Sequence, residues 1–202
     1  ICMVLVLFLL PTAANAASSG TCGDNLTWTL DAGTLTISGT GPMKNYTYSS
    51  SAPWNVNRSY IKKVVIEDGV TTIGDYAFRS CDSLTSVVIE EGCTSIGGYA
   101  FGGCTNLSRI VVPGTVTEIS SSALSGCDKL TSAGPIGSGC DYEFGWTSAI
   151  PDDAFYNLDG LAEVTLPEGL ISIGKDAFDG CGALKTIEIP DTVTTIGGDA
   201  FR

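Results

Sequence analysis

The sequence predicts a solenoid, a stack of short coils that each place a β-strand on the same face. Three observations predict it: an Ala-Phe pair followed by a Cys recurs along the chain, the interval is constant, and the stretches between fall into columns of one residue type. The pattern stands at Ala77-Phe78 with Cys81, Ala100-Phe101 with Cys104 and Ala177-Phe178 with Cys181, and with Leu124 replacing Phe beside Cys127. From Phe78 to Phe101, from Phe101 to Leu124 and from Phe178 to Phe201 the interval is 23 residues. A unit this short cannot bury its own apolar face, so it must stack on copies of itself.

Residues 1–16 read as a secretory signal peptide. Cys2 to Leu10 is an apolar run too short to span a bilayer, and Pro11, Ala14 and Ala16 follow where a peptidase would cut. The chain starts at Ile1 with neither Met nor a basic segment, so this signal is expected to be N-terminally truncated. A buried core strand is the alternative. Residues 17–60 read as an N-terminal β cap. Leu26–Leu30 and Thr34–Ser38 alternate apolar with polar around Asp31-Ala-Gly33, a hairpin signature, and Trp28 and Trp54 suit lids over the open end of a stack.

Residues 61–202 read as the solenoid: about five coils of 23 residues, one of 31, and an incomplete last coil. The strand columns run through Val64 and Ile66, Val87 and Ile89, Ile110 and Val112, Val164 and Leu166, and Ile187 and Ile189. The expected core adds Ile73, Ile96, Ile119, Ile150, Ile173 and Ile196, the corner residues Phe78, Phe101, Phe155, Phe178 and Phe201, and the thiols of Cys81, Cys104, Cys127 and Cys181. Gly69, Gly92, Gly114 and Gly169, with Pro113, Pro167 and Pro190, turn the chain after the strand. The long coil carries eight extra residues within Ala133–Trp146. A bulged loop on one edge of the solenoid is expected there, and deleting residues 137–144 is expected to restore a normal coil. Such a loop suits binding; alternatively Phe144 and Trp146 cover its own underside.

The period lies in the leucine-rich range. The fold class is therefore a leucine-rich-repeat solenoid, with a β-strand on one face of each coil, irregular or short helical return segments, and an N-terminal β-hairpin cap. The unit Leu-x-x-Val-x-Ile-Pro, Ile-Gly, Ala-Phe-x-x-Cys, from Ile61 to Arg202, resembles the BspA-like leucine-rich repeat family of bacterial secreted and surface proteins. Thr21 to Trp28 and Ala52-Pro-Trp54 are similar to the N-terminal cap of its gut-bacterial members. The resemblance implies adhesion or binding to host or matrix proteins at the cell surface or beyond, and it brings no shared catalytic residues.

Composition narrows the function. A net charge of −12, from 22 acidic against 10 basic residues, disfavours nucleic acid and anionic membranes as partners. The absence of His excludes Ser-His-Asp and Cys-His catalysis and His-ligated metals. No Cys-x-x-Cys occurs, and the pairs Glu67-Asp68, Glu90-Glu91 and Asp152-Asp153 read as solvated turns, so no enzyme activity, cofactor, metal or mature-chain membrane insertion is expected. Cys22, Cys93 and Cys140 complete the thiols after the signal; Cys93 falls in the core column of Val70, while Cys22 and Cys140 have no assigned role.

Period-two alternation turns two rows outward. Lys63, Ser86 and Arg109 begin one, and Val65, Val88 and Val111 begin the other. The candidate binding residues are Lys63, Val65, Val88, Arg109 and Val111, with Tyr142 and Trp146 from the long coil. A valine stripe suits a protein ligand, although β-propensity alone also places Val on a sheet. The rival partner is a glycan or cell-wall polymer stacked on Tyr46, Tyr48, Tyr142 or Trp146. A scaffold for a further domain is a third reading.

Overall fold

The computed structural model describes residues 18–202; the signal-peptide reading of residues 1–16 lies outside the described residues. Three antiparallel strands come first: β1 (Ser18–Thr21), β2 (Leu26–Asp31) and β3 (Thr34–Gly39). β2 and β3 are joined through Ala32 and Gly33, both at positive φ, the two-residue turn whose twist suits a hairpin. After β4 (Gly41–Pro42) and a 3-10 helix at Asn55–Tyr60, the coils begin.

Each coil has three sides. The first is a strand in one long sheet: β5 (Lys63–Ile66) pairs in parallel with β3 on one side and with β7 (Ser86–Ile89) on the other, and β7 pairs with β9 (Arg109–Val112). The second side holds shorter strands, with β6 (Val70–Ile73) between β4 and β8 (Ser95–Ile96), and β10 (Glu118–Ile119) beyond β8. The third side is the Ala-Phe corner, a series of turns rather than a helix. There the Phe N–H donates to the Ala carbonyl of the next coil, as from Phe78 to Ala100 (2.7 Å) and from Phe101 to Ala123 (2.9 Å).

The corner rings stack in register. Trp54, Phe78 and Phe101 lie 5.3 and 5.2 Å apart, and Phe155, Phe178 and Phe201 lie 4.8 and 5.2 Å apart. Trp54 thus continues the Phe column before the first coil, and its Nε1–H donates to the Ala77 carbonyl at 2.8 Å, replacing the backbone donor that a preceding coil would supply. The thiols of Cys104, Cys127 and Cys181 sit under the stack, each donating to the Phe carbonyl one coil back at 3.1–3.3 Å. Ile196 and Phe201, expected as core, are 48% and 41% exposed, because no further coil covers them among the described residues.

The long coil corrects the expectation of an edge loop. β11 (Ser132–Pro135) and β12 (Tyr142–Phe144) both join the long sheet, and β12 lies between β9 and β11. The chain passes one place along the sheet, forms β11, and returns over the outer face to fill the vacant place. Gly134 marks the return path, since a Cβ there would meet Ser138 Oγ at 2.9 Å and Cys140 Sγ at 3.0 Å. A backward step over the outer face has the same hand as a forward step over the inner face, so the reversal breaks no crossover rule. β11 then pairs with β14 (Glu163–Val164), and the stack resumes.

The other two sides have no strand to insert. β13 (Ala149–Ile150) pairs with β15 (Ser172–Ile173) and β15 with β16 (Thr195–Ile196), but β13 does not reach β10, so the second sheet is split. In the intact junctions the residue after Ile donates across the coils, from Gly97 to Ile73 (2.9 Å), Ser120 to Ile96 (3.0 Å) and Gly174 to Ile150 (2.9 Å). At the split this residue is Pro151, which has no N–H. The widened core is filled by buried Tyr142, Phe144 and Trp146 around Phe155, with centroids 4.9–6.3 Å apart.

Candidate binding surfaces

The outer face of the long sheet is where alternation placed it. Thr36, Val65, Val88 and Val111 are cross-strand neighbours in one row, and the three valines are half-buried. Lys63, Ser86 and Arg109 form the adjacent row, with Lys63 and Arg109 exposed. In the next strand the place beside Val111 belongs to Glu143. Its carboxylate is buried under the returning loop, where it accepts from the Gly139 N–H at 2.8 Å and pairs with Arg109 Nη2 at 3.0 Å. Burial pushes the Glu143 carboxyl up, but the N–H groups of Gly139 and Gly137 and the Arg109 guanidinium outweigh it and hold it below its ordinary value. The valine row therefore ends against a ledge pinned by an ion pair.

Tyr142 and Trp146 do not belong to a binding surface. They are 0% and 4% exposed, with Tyr142 Oη donating to the Ala154 carbonyl (3.3 Å) and Trp146 Nε1 to the Val116 carbonyl (2.7 Å). Neither ring offers a face on which a sugar can stack, and buried Tyr46 is withdrawn for the same reason. Tyr48 alone of that set is open, at 78%.

A second concavity had no counterpart in the sequence reading. A groove of about 950 Å³ runs along the second sheet and across its split, touching Ser95, Glu118, Ser120, Asp152 and Ser172. Two of its acids already serve the stack: Asp75 Oδ1 accepts from the Gly98 N–H and Asp152 Oδ1 from the Lys175 N–H, both at 2.6 Å. Ile73, Ile96, Ile119, Ile150 and Ile173 also reach it, so the groove is mixed, polar groups alternating with the edge of the Ile column. The signal that marks it is Pro151, in a column otherwise held by Gly74, Gly97, Ser120, Gly174 and Gly197. At Gly174 and Gly197 an added Cβ would collide with backbone of the preceding coil, whereas the split gives Pro151 room.

The six buried thiols are withdrawn from chemistry. Burial raises Cys22 and Cys93 to about 11 and Cys104 and Cys181 to about 12, and pushes Cys81 and Cys127 higher. Among the described residues no cluster of His, Cys, Asp or Glu could hold a metal, and no helix is long and apolar enough to cross a membrane.

Residues 56–135 and 147–202 match, in six copies, the family model described as BspA type leucine rich repeat region. The unmatched stretch between holds the returning loop and β12. A leucine rich cell surface protein from Faecalibacterium prausnitzii is 28% identical with a TM-score of 0.53, over 91% of this chain and 52% of that one. A leucine-rich repeat protein from Bacteroides ovatus is 24% identical over 86% and 48% of the two chains, with a TM-score of 0.49. One from Eubacterium ventriosum is 20% identical over 92% and 94%, with a TM-score of 0.44. The chain spans about half the length of the first two. No curated protein matches it.

Proposed function

Because the chain belongs to the BspA-type leucine-rich repeat family, we propose that it is a non-catalytic binding module, secreted or held at the cell surface, that engages a host or matrix protein. Members of this family are repeat-based binding or scaffold modules and are typically non-enzymatic. The described cell-surface relative supports the extracellular placement.

The observation that carries the proposal is the outer face of β5, β7 and β9. A continuous row of half-buried valines lies beside two exposed bases, in a chain of net charge −12. A partner laid across it covers apolar area at the centre and meets Lys63 and Arg109 at the rim, the division of labour of a protein interface. The ledge at Glu143 limits the contact on one side.

The test is saturation binding of residues 17–202 to immobilised extracellular-matrix proteins. Val88→Lys and Val111→Lys are expected to lower affinity at least about tenfold by placing charge in the contact centre. Ser95→Arg and Ser172→Arg, in the groove of the second sheet, are expected to leave it unchanged. The reverse result moves the interface to the groove, and silence toward every matrix protein refutes the adhesive reading.

A further inference from the structure

We propose that a hollow between the 3-10 helix and the first coil binds a sugar bearing one acidic group, a site separate from the outer face of the long sheet. The hollow holds about 320 Å³, at the small end of ligand pockets and enough for about one or two sugar rings.

Its charge is the first argument. Arg58 and Arg79 both line it and no lining residue is acidic, although acids outnumber bases 22 to 10 in the chain. Among the described residues neither arginine is within ion-pair distance of a carboxylate; the ion pairs are formed by Arg109, Lys175 and Arg202. Arg58 Nη1 reaches only the neutral Asn55 Oδ1, at 3.5 Å. Two guanidiniums without a carboxylate partner lining one small space attract an anion, their forked N–H groups matching a carboxylate or sulfate.

Geometry is the second. The Arg79 guanidinium carbon lies 4.5 Å from the centroid of the Tyr48 ring, so the cation is held against an aromatic face while its N–H edge stays free. The hydroxyls of Ser51 and Ser80 border the same space and can both donate and accept, as a polyhydroxylated ligand requires and an acidic peptide side chain does not. Tyr76 forms another wall and stacks on Tyr99 of the next coil at 5.3 Å. Tyr99 is 40% exposed, so aromatic surface leads out of the hollow along the coils, a path for further sugar units. The floor is rigid, since Trp54 is buried and anchored to the Ala77 carbonyl.

Calorimetric titration of residues 17–202 with glucuronic acid, N-acetylneuraminic acid and galactose 6-sulfate, with glucose as the neutral control, tests the site. At least one acidic sugar is expected to bind at least about tenfold more tightly than glucose, and the carboxylate and sulfate arms report which oxyanion is preferred. Arg58→Gln, Arg79→Gln and Tyr48→Ala are each expected to weaken binding about tenfold with an unchanged melting point. Arg79→Lys does not restore it, because the fork is lost. Val88→Lys leaves sugar binding intact, so failure here and failure of the outer-face reading are separable. Absence of binding by all three acids, equal binding of glucose, or undiminished binding by the Arg58→Gln/Arg79→Gln protein overturns the proposal. So does an acidic peptide that binds the hollow when the sugars do not.

Discussion

The junction between the coils that begin at Leu84 and Leu107 and the junction between those that begin at Leu107 and Leu130 join the same unit by different means. In the first, backbone donors do the joining: Phe101 N–H reaches the Ala123 carbonyl and Ser120 N–H reaches Ile96. In the second, backbone still joins the long sheet through β12, but on the other sides Pro151 has no N–H and side chains substitute: Trp146 Nε1 reaches Val116 across the split, and Tyr142 Oη, from the inserted strand, reaches Ala154. Backbone bonding asks only for register and tolerates many residues. Side-chain bonding asks for particular residues, so the irregular junction is the one where the sequence is least free to vary.

Four experiments break or sharpen that contrast. Deleting residues 137–144 has the largest expected effect, since it removes β12 with the buried rings of Tyr142 and Phe144. The deletion is expected to abolish cooperative thermal unfolding, and a variant that melts like the parent would show that β12 is dispensable. Phe101→Ala, in the regular stack, is expected to cost on the order of 3–5 kcal/mol as a fully buried ring; denaturant unfolding with an unmoved midpoint would reject the register. Tyr142→Phe removes one hydroxyl from the irregular junction and leaves the Ala154 carbonyl without it, at a cost of about 1–3 kcal/mol. A neutral result would mean that ring packing alone closes the split.

Glu143→Gln is the smallest and is read against pH. The folded carboxyl sits below its ordinary value, so as pH falls the unfolded chain takes up this proton first. The carboxylate's contribution is therefore complete above the ordinary Glu range, near about 4.3, and is lost as pH falls through the lowered folded value. Denaturant midpoints from pH 7 to pH 3 are expected to decline less steeply for Glu143→Gln than for the parent. Equal slopes would remove the ion pair from the account of the ledge.

The regular coils were legible because period and columns follow from stacking: each Phe or Ile has to lie over its equivalent, so residue type repeats with the interval. The outward rows followed from alternation alone. β12 was illegible because Tyr142-Glu-Phe144 is too short to announce a strand and fits no column until its place beside β9 is seen. The hollow between the 3-10 helix and the first coil escaped for another reason. Arg58 and Arg79 lie in different segments, and only the fold brings them to one cavity.

One column records the split in its chemistry. Tyr76 and Tyr99 before it and Asp153, Asp176 and Asp199 after it all have φ between 52° and 58°. Asp tolerates this left-handed conformation through local hydrogen bonding, whereas other L-residues lose roughly 1–2 kcal/mol there. The Tyr76–Tyr99 stack offsets part of that cost, about 0.5–1.5 kcal/mol. Backbone shape fixes the position and leaves the side chain to the face it meets, which is aromatic beside the arginine hollow and acidic beyond the split.

The packing of the thiols also makes the molecule its own reporter. Of seven described cysteines, six are buried and only Cys140 is half-exposed, on the loop that crosses the outer face beside Arg109. A thiol-reactive fluorophore applied to the folded chain would select this one position and reach the other six at the rate of unfolding. Labelling stoichiometry would then time the opening of the stack, and the attached dye would sense any partner arriving at the valine row.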